Sequence, residues 1–334
     1  MTILRVRDLT VRFGQRGAPK LTAVDGLSLT LRVGHTLALV GESGSGKSTV
    51  VKALARLLVP DAGEILLRDR PIGHGGRALR DYRRSVQVVF QDPFASLNPM
   101  HTVDHHLRRP LLRSPDRARG ANLTVAVHEL LRSVSLSPPA DFAAKRPHEL
   151  SGGQRQRVAI ARALAPTPQV LLADEPVSML DVSLRLEILN LLDRLKRERD
   201  LALLYVTHDL ATARHFSSEV MVMYRGEVIE HGPSDQVILH PAHPYTRLLA
   251  SAAPDPGRSR AELAEARRTR LDTRASEADH TAERRGALLD AGCRFRNRCP
   301  FAMQVCGSRP PTLTAAPGHT AKCWLFDESA VRSA

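Results

Sequence analysis

The chain has 334 residues, 43% of them hydrophobic, which is enough to bury a full core and to hold more than one domain. No stretch reaches the roughly eighteen uninterrupted apolar residues of a membrane span, and residues 1–8 lack the parts of a secretory signal, so a cytoplasmic protein is expected. The formal charge is +13, but aromatic residues make up only 4% and no basic–aromatic interleaving occurs, so nucleic acid is not the expected partner.

Residues 3–13 are rich in β-formers with partial alternation, and 21–33 repeat the pattern after a Gly/Pro-containing turn, which predicts two antiparallel strands. Thr36-Leu37-Ala38-Leu39-Val40 reads as a buried parallel strand, and 50–58 has the apolar spacing of a helix. Between them lies Gly41-Glu42-Ser43-Gly44-Ser45-Gly46-Lys47-Ser48-Thr49, which fits G-x-x-x-x-G-K-[ST]. In such a loop Gly41, Ser43, Gly44 and Gly46 let backbone N–H groups curl around a phosphate, and the following helix aims its positive end at the same place. Lys47 is placed to reach β- and γ-phosphates and the Ser48 hydroxyl to ligate Mg²⁺. The pattern predicts binding of a nucleoside triphosphate. Phe13, at the end of the first strand, is placed either to stack on the base or to be an ordinary core or edge side chain.

Residues 63–69 and 86–90 predict two further strands, and Gln91-Asp92-Pro93-Phe94-Ala95-Ser96-Leu97-Asn98-Pro99 predicts a loop. Gln91, at a strand's C-terminal end, is placed to touch Mg²⁺ or an attacking water. Residues 100–149 turn helical, polar and Arg-rich. His101, His105 and His106 sit near the start of this stretch; adjacent histidines on a helix point in different directions, so a solvated or partner-facing surface is expected, with a metal site the alternative. Leu150-Ser151-Gly152-Gly153-Gln154 then precedes a helical run, with Ser151 a fitting N-cap and the two glycines baring the first backbone N–H groups. This is a second anion-binding helix start. The apolar run 170–173 ends in Asp174 and Glu175, one carboxylate suited to hold a Mg²⁺ water shell and the next to orient or deprotonate an attacking water. Residues 203–207 predict another buried strand, and His208 leaves its end in position to reach a γ-phosphate.

Residues 254–290 are a mixed-charge segment with few apolar side chains, read as a linker. Beyond it Cys293, Cys299, Cys306 and Cys323 are spaced C-x5-C-x6-C-x16-C, which matches no C-x2-C zinc pattern. Disulfides are not expected in a cytoplasmic protein. Four thiols suit a [4Fe–4S] cluster in ligand count, and Pro300 after Cys299 echoes a common cluster surrounding; zinc and uncoordinated thiols are the alternatives.

Together these pieces resemble the ATP-binding subunit of ABC transporters. The 41–49 loop, Gln91, the 150–154 signature, the Asp174-Glu175 pair, Ser178-Met179-Leu180-Asp181 and His208 stand in that family's order and rough spacing over about residues 2–250. The 91–99 segment, His240-Pro241-Ala242-His243-Pro244-Tyr245-Thr246-Arg247-Leu248-Leu249 and the cysteine tail are similar to the oligopeptide/dipeptide permease branch. Val177 and Met179 depart from the Thr and Ala usual there.

The resemblance implies an α/β P-loop (RecA-like) core with an antiparallel β subdomain and a helical subdomain at about 92–167, all within residues 1–250. A linker at 251–290 and a small Cys-rich module at 291–326 would follow. It implies a head-to-tail dimer closed over two ATP molecules. In that dimer the signature Ser151, Gly152, Gly153 and Gln154 of each chain would face the nucleotide held by the other. Lys47, Ser48, Thr49 and Gln91 would hold phosphate and Mg²⁺, Glu175 would activate water, His208 would stabilise the terminal phosphate, and Asp181 would communicate across the dimer. An iron–sulfur cluster on the four cysteines is implied by the branch.

The implied partners are two transmembrane permease subunits, a second ATPase (related or identical) and, through the complex, an extracytoplasmic solute-binding protein, at the cytoplasmic face of the plasma membrane. The implied activity is ATP hydrolysis powering a peptide importer. An importer of another solute such as nickel, and a soluble ABC ATPase acting on nucleic acid or ribosomes, are the alternatives.

Overall fold

The structure is a computed structural model that describes residues 1–14, 21–73, 75–113, 121–252 and 292–332. The linker expected at 251–290 lies outside the described residues except for its first two positions. In chain order the elements begin with β1 (Thr2–Phe13), β2 (Leu21–Arg32), β3 (Thr36–Val40), α1 (Lys47–Leu54), β4 (Ala62–Leu67) and β5 (Arg70–Pro71). Then follow α2 (Gly76–Ser85), β6 (Val86–Val89), α3 (Pro93–Ser96), α4 (Val103–Leu111), α5 (Ala121–Ser133), α6 (Pro139–Ala144) and α7 (Gly152–Leu164). Next come β7 (Val170–Asp174), α8 (Val182–Glu198), β8 (Ala202–Thr207), α9 (Leu210–Phe216), β9 (Glu219–Tyr224) and β10 (Glu227–Pro233). The chain closes with α10 (Ser234–Leu239), α11 (Pro244–Ala252), β11 (Leu313–Ala316), β12 (His319–Ala321) and α12 (Glu328–Arg332). No described helix is long and apolar enough to cross a membrane.

The chain divides into two compact units. Among the described residues, one holds those of Met1–Val11, Asp25–Ala38 and Ser48–Thr207, and the other those of Arg12–Val24, Leu39–Lys47 and His208–Ala334.

The first unit contains a sheet in the order β2-β1-β4-β5. β1 and β4 are antiparallel, with Leu4 opposite Leu67 and Val6 opposite Ile65. Their register slips between Arg7 and Thr10. Gly63 (φ +92°) lies against that slip, where a Cβ would come within 2.5 Å of the Asp8 carbonyl oxygen, so no other residue fits. The same unit carries strands in the order β3-β8-β7-β6. β6, β7 and β8 are parallel, Val86 lying beside Val170 and Asp174 beside Val206. β7 and β8 are buried at every residue, as central parallel strands are. Each of Leu171, Leu172, Leu203 and Leu204 is essentially fully buried, and each such side chain stabilises the fold by roughly 1.5–3 kcal/mol.

The helix expected at 50–58 starts earlier, at Lys47, and stops at Leu54. Arg56 takes a left-handed backbone (φ 56°), and the N–H groups of Leu57 and Leu58 both turn back to the Lys52 carbonyl, which ends the helix although its apolar spacing runs on. The 91–99 stretch, expected to be a loop, instead holds the short helix α3, because the Asp92 carboxylate accepts from the Phe94 and Ala95 N–H groups and caps it. Helices α4 to α7 follow in the segment expected to be helical. The Thr102 hydroxyl caps α4 by accepting from the His105 N–H at 3.3 Å. The adjacent His105 and His106 point in different directions, as expected. His101 precedes that cap and its ring stacks on His105 at 4.0 Å, whereas His105 and His106 meet edge-on at 6.2 Å.

The second unit carries antiparallel strands in the order β11-β12-β10-β9. The tail from 292 onward therefore belongs to the same unit as residues 208–252. Its two short strands, which sequence patterning missed, extend the sheet from β10, with Glu230 opposite Ala321. Two buried glutamates of β10 hold this tail. Glu227 accepts from Arg309 at 2.8 Å and Lys322 at 2.9 Å. Glu230 accepts from the N–H groups of Ala242 at 2.7 Å and His243 at 2.9 Å, and lies 2.7 Å from His319 Nε2. Tyr224, Tyr245 and Phe295 pack their rings together, with centroids 4.6 to 5.6 Å apart.

Candidate functional site

The phosphate-loop pattern folds as its glycines require. A Cβ on Gly41 would lie 2.2 Å from the Met223 carbonyl oxygen, and one on Gly46 (φ +106°) would lie 2.3 Å from that of Ala23. Gly44 also has a positive φ, of 80°. The Ser45 carbonyl accepts the Gly226 N–H at 2.9 Å. Lys47 is buried, and its ammonium donates to the Gly41 carbonyl at 2.7 Å and the Glu42 carbonyl at 2.9 Å. Ser43 is exposed, and Thr49, the third residue of α1, is half-buried.

In the first unit the structure brings four of the expected side chains together in pairs. Ser48 Oγ donates to Asp174 Oδ1 at 3.1 Å, joining the start of α1 to the end of β7. Gln91 Nε2 donates to Glu175 Oε2 at 3.2 Å, joining the end of β6 to the residue after β7. Glu175 has a left-handed backbone (φ 45°), a conformation that strains a non-glycine residue by about 1–3 kcal/mol. The strand next door holds it there, since its N–H donates to the Val206 carbonyl at 3.0 Å. Ser178 Oγ donates to the Glu175 carbonyl at 3.0 Å and fixes the other side of the turn. A hydroxyl, a buried carboxylate and a carboxamide are hard oxygen donors of the kind Mg²⁺ takes.

The signature helix α7 opens with a capping box. Ser151 Oγ accepts from the Gln154 N–H at 3.3 Å, and Gln154 Oε1 accepts from the Ser151 N–H at 3.0 Å. The S-x-x-Q spacing made this role of Gln154 legible, although sequence reasoning assigned it only to the signature. A Cβ on Gly152 or Gly153 would meet Leu180 or Leu184 side-chain atoms at 3.5 Å or more, so the chain's own packing leaves room for alanine at both. Asp181 is exposed at the N-cap of α8, amid exposed Met179, Val182 and Leu186. In the second unit His208 is exposed directly after β8, and Asp209 next to it caps α9 by accepting from the Ala211 and Thr212 N–H groups. Phe13 is 43% exposed at the end of β1.

The tail places Cys293, Cys299, Cys306 and Cys323 as free thiols. Burial pushes the Cys323 thiol up to about 11, and the other three cysteines add to the rise. The donor chemistry suits a cluster. Among the described residues, however, no three or more His, Cys, Asp or Glu side chains are arranged to hold a metal ion, so neither the expected iron–sulfur cluster nor zinc finds an assembled ligand set.

Sequence reasoning missed three residues that the structure ties to the phosphate loop: Glu42, Tyr245 and Arg298. Tyr245 OH accepts the Glu42 N–H at 2.9 Å, and both terminal nitrogens of Arg298 donate to the Glu42 carboxylate at 3.1 Å. Glu42 occupies a variable position of the loop pattern, and its arginine is 256 residues away, so no local signal could pair them.

Two family models match separate parts of the chain. Residues 24–178 match the family model for ABC transporters, and 229–306 match that for the C-terminal region of oligopeptide/dipeptide transporters. The chain is 39% identical to the oligopeptide transport ATP-binding protein AppF of Bacillus subtilis (strain 168), covering 97% of this chain and 98% of that protein. It is 37% identical to the oligopeptide transport ATP-binding protein OppF of Salmonella typhimurium, covering 97% and 96%. Among solved structures it is similar to cbiO1 of Clostridium perfringens, with a TM-score of 0.63 and 28% identity over 72% of this chain and 91% of that one. It is also similar to the dimeric cassette MJ0796 bound to ADP and phosphate, with a TM-score of 0.61 and 31% identity over 70% and 99%. The chain belongs to the ATP-binding proteins of ABC transporters, in the oligopeptide/dipeptide branch.

Proposed function

We propose that this chain is the ATP-hydrolysing subunit that powers a peptide importer, with its catalytic groups in the roles their motifs suggest. The observation that carries the reading is the pairing of Ser48 with Asp174 and of Gln91 with Glu175 at the ends of neighbouring strands. Lys47 and Thr49 bind the β- and γ-phosphates, together with the bared N–H groups of Gly41, Ser43, Gly44 and Gly46. Ser48, Asp174 and Gln91 are the residues that would hold Mg²⁺, which supplies charge neutralisation at the phosphates. Glu175 accepts a proton from the water that attacks the γ-phosphorus, ADP leaves, and His208 steadies the terminal phosphate. Phe13 is exposed enough to stack on the adenine.

Ser151, Gly152, Gly153 and Gln154 serve the nucleotide of a second ATPase. That assignment is supported by the room at both glycines: nothing inside the chain requires their lack of a side chain, whereas a phosphate approaching the helix start does. The exposed apolar residues around Asp181 suit the same dimer face. The similar cassette MJ0796 is itself a dimer bound to ADP and phosphate. We assign residues 1–250 to the nucleotide-binding domain, two permease subunits and an external solute-binding protein to the wider complex, and the cytoplasmic face of the plasma membrane as its place.

The test is ATP turnover by the purified chain. Glu175→Gln is expected to abolish hydrolysis while ATP binding stays, and Lys47→Ala to abolish binding. Full turnover in Glu175→Gln would overturn the assignment. We also propose a [4Fe–4S] cluster on Cys293, Cys299, Cys306 and Cys323, supported by their number and chemistry and not by an assembled ligand set. Iron, sulfide and visible absorbance in anaerobically purified protein would support it, and a colourless preparation holding zinc or no metal would overturn it.

A further inference from the structure

Glu42 is held at every polar group it has. Its N–H donates to Tyr245 OH at 2.9 Å, its carbonyl accepts from Lys47 Nζ at 2.9 Å, and its carboxylate takes two donors from Arg298 at 3.1 Å each. The two-donor contact is the strong, directional form of an arginine–carboxylate pair. Arg298 is itself fixed before it meets Glu42. Its side chain is 8% exposed, and its guanidinium lies 5.7 Å from the ring centroids of both Tyr224 and Phe295. Burial works against its charge, but the hydrogen bonds to Glu42 and Tyr224 outweigh that and raise the guanidinium pKa above its ordinary value. Arg298 stands next to Cys299, and Tyr245 is the second residue of α11, so two separate parts of the C-terminal chain converge on one residue of the phosphate loop.

We propose that Arg298 and Tyr245 are positioning residues for nucleotide binding: they clamp Glu42, and through its backbone fix the carbonyls that hold Lys47. A loop with glycine at Gly41, Gly44 and Gly46 is otherwise free to sample many conformations, and ordering it on binding lowers affinity. The clamp orders it beforehand. It touches no reacting atom, so it strengthens ground-state and transition-state binding alike, which moves KM and leaves kcat in place. The inference rests on the reading of residues 41–49 as the phosphate loop.

The test uses the full-length chain with a fluorescent ATP analogue at equilibrium, alongside steady-state ATPase and melting curves. Glu42→Gln and Arg298→Gln are each expected to raise Kd and KM about tenfold with kcat within about twofold of the parent. Arg298→Lys, which keeps the charge but loses the fork, is expected to give about a threefold rise. The double variant is expected to bind no more weakly than either single one, because the pair acts as a unit. Lower melting temperatures with unchanged Kd, or additive effects in the double variant, would overturn the proposal in favour of a purely structural bridge. If Arg298→Gln does not fold, Glu42→Gln, a change of the same shape at a part-exposed carboxylate, decides the matter. Lys47→Ala is run in parallel. Unchanged binding there would overturn the phosphate-loop reading itself, while lost binding there with unaltered Arg298 variants would overturn the clamp alone.

Discussion

Glu230→Ala removes a carboxylate that is 1% exposed and takes three donors at once. Those donors are the N–H groups of Ala242 and His243, at 2.7 and 2.9 Å, and His319 Nε2 at 2.7 Å. Stranding a buried backbone N–H costs about 1–3 kcal/mol, and a hydrogen bond to a charged group contributes about 1.5–3 kcal/mol. Two stranded donors and one lost imidazole contact therefore place the loss at roughly 4 kcal/mol or more. The assay is urea unfolding followed by the fluorescence of Trp324. This is the one tryptophan of the chain, and its indole N–H donates to the Ser308 carbonyl at 3.2 Å within the same tail. With a slope of about 2–3 kcal/mol per molar urea, the Trp324 transition is expected to fall by more than about 1 M. Glu230→Gln keeps the shape and one acceptor oxygen and is expected to move it less. A Trp324 transition at its parental midpoint in Glu230→Ala would refute the view that this carboxylate anchors the tail.

Gly153→Ala is expected to leave the melting temperature unchanged or higher, since alanine suits a helix better by about 0.5–1 kcal/mol, while ATPase activity falls sharply; retained activity would contradict the role of α7 at a second nucleotide. Gly46→Ala places a methyl group 2.3 Å from the Ala23 carbonyl and is expected to abolish ATP binding, which equilibrium titration checks. Burial, helped by Arg247, lowers the His243 imidazole pKa to about 3, against about 6.5 in an unfolded chain. The unfolded chain then binds a proton that the folded one refuses, so this contribution is complete above about pH 6.5 and is lost towards pH 3, by up to about 1.4 kcal/mol per pH unit. Urea midpoints measured from pH 8 down to 4 are expected to fall with that slope in the parent and more shallowly in His243→Gln.

The parts of the fold that could be read from sequence are those governed by local pattern. The unbroken apolar runs of β7 and β8 announce buried parallel strands, and the glycines of the 41–49 loop stand where a Cβ would strike backbone oxygen. Ser48, Gln91, Asp174 and Glu175 are legible too, because motif order and strand ends are visible along the chain. What escaped depends on partners far away in sequence. β11 and β12 are only 4 and 3 residues long, too short to show a period, and they exist because β10 offers an edge to pair with. The end of α1 at Leu54 depends on a left-handed residue at Arg56, which no composition rule marks. The links from Glu42 to Arg298 and from Glu230 to His319 join residues 256 and 89 positions apart. Burial creates both bonds, and burial of this kind is set by tertiary packing.

The measurement that bears most directly on the proposed function is a membrane pull-down with tagged protein carrying Glu175→Gln, in the presence of ATP. This change is expected to stall hydrolysis and lock the closed dimer. Recovery of multi-span permeases together with a second ATPase is the expected result, and the identity of that ATPase distinguishes a homodimer from a heterodimer. Recovery of ribosomes or nucleic acid, with no membrane protein, would contradict it.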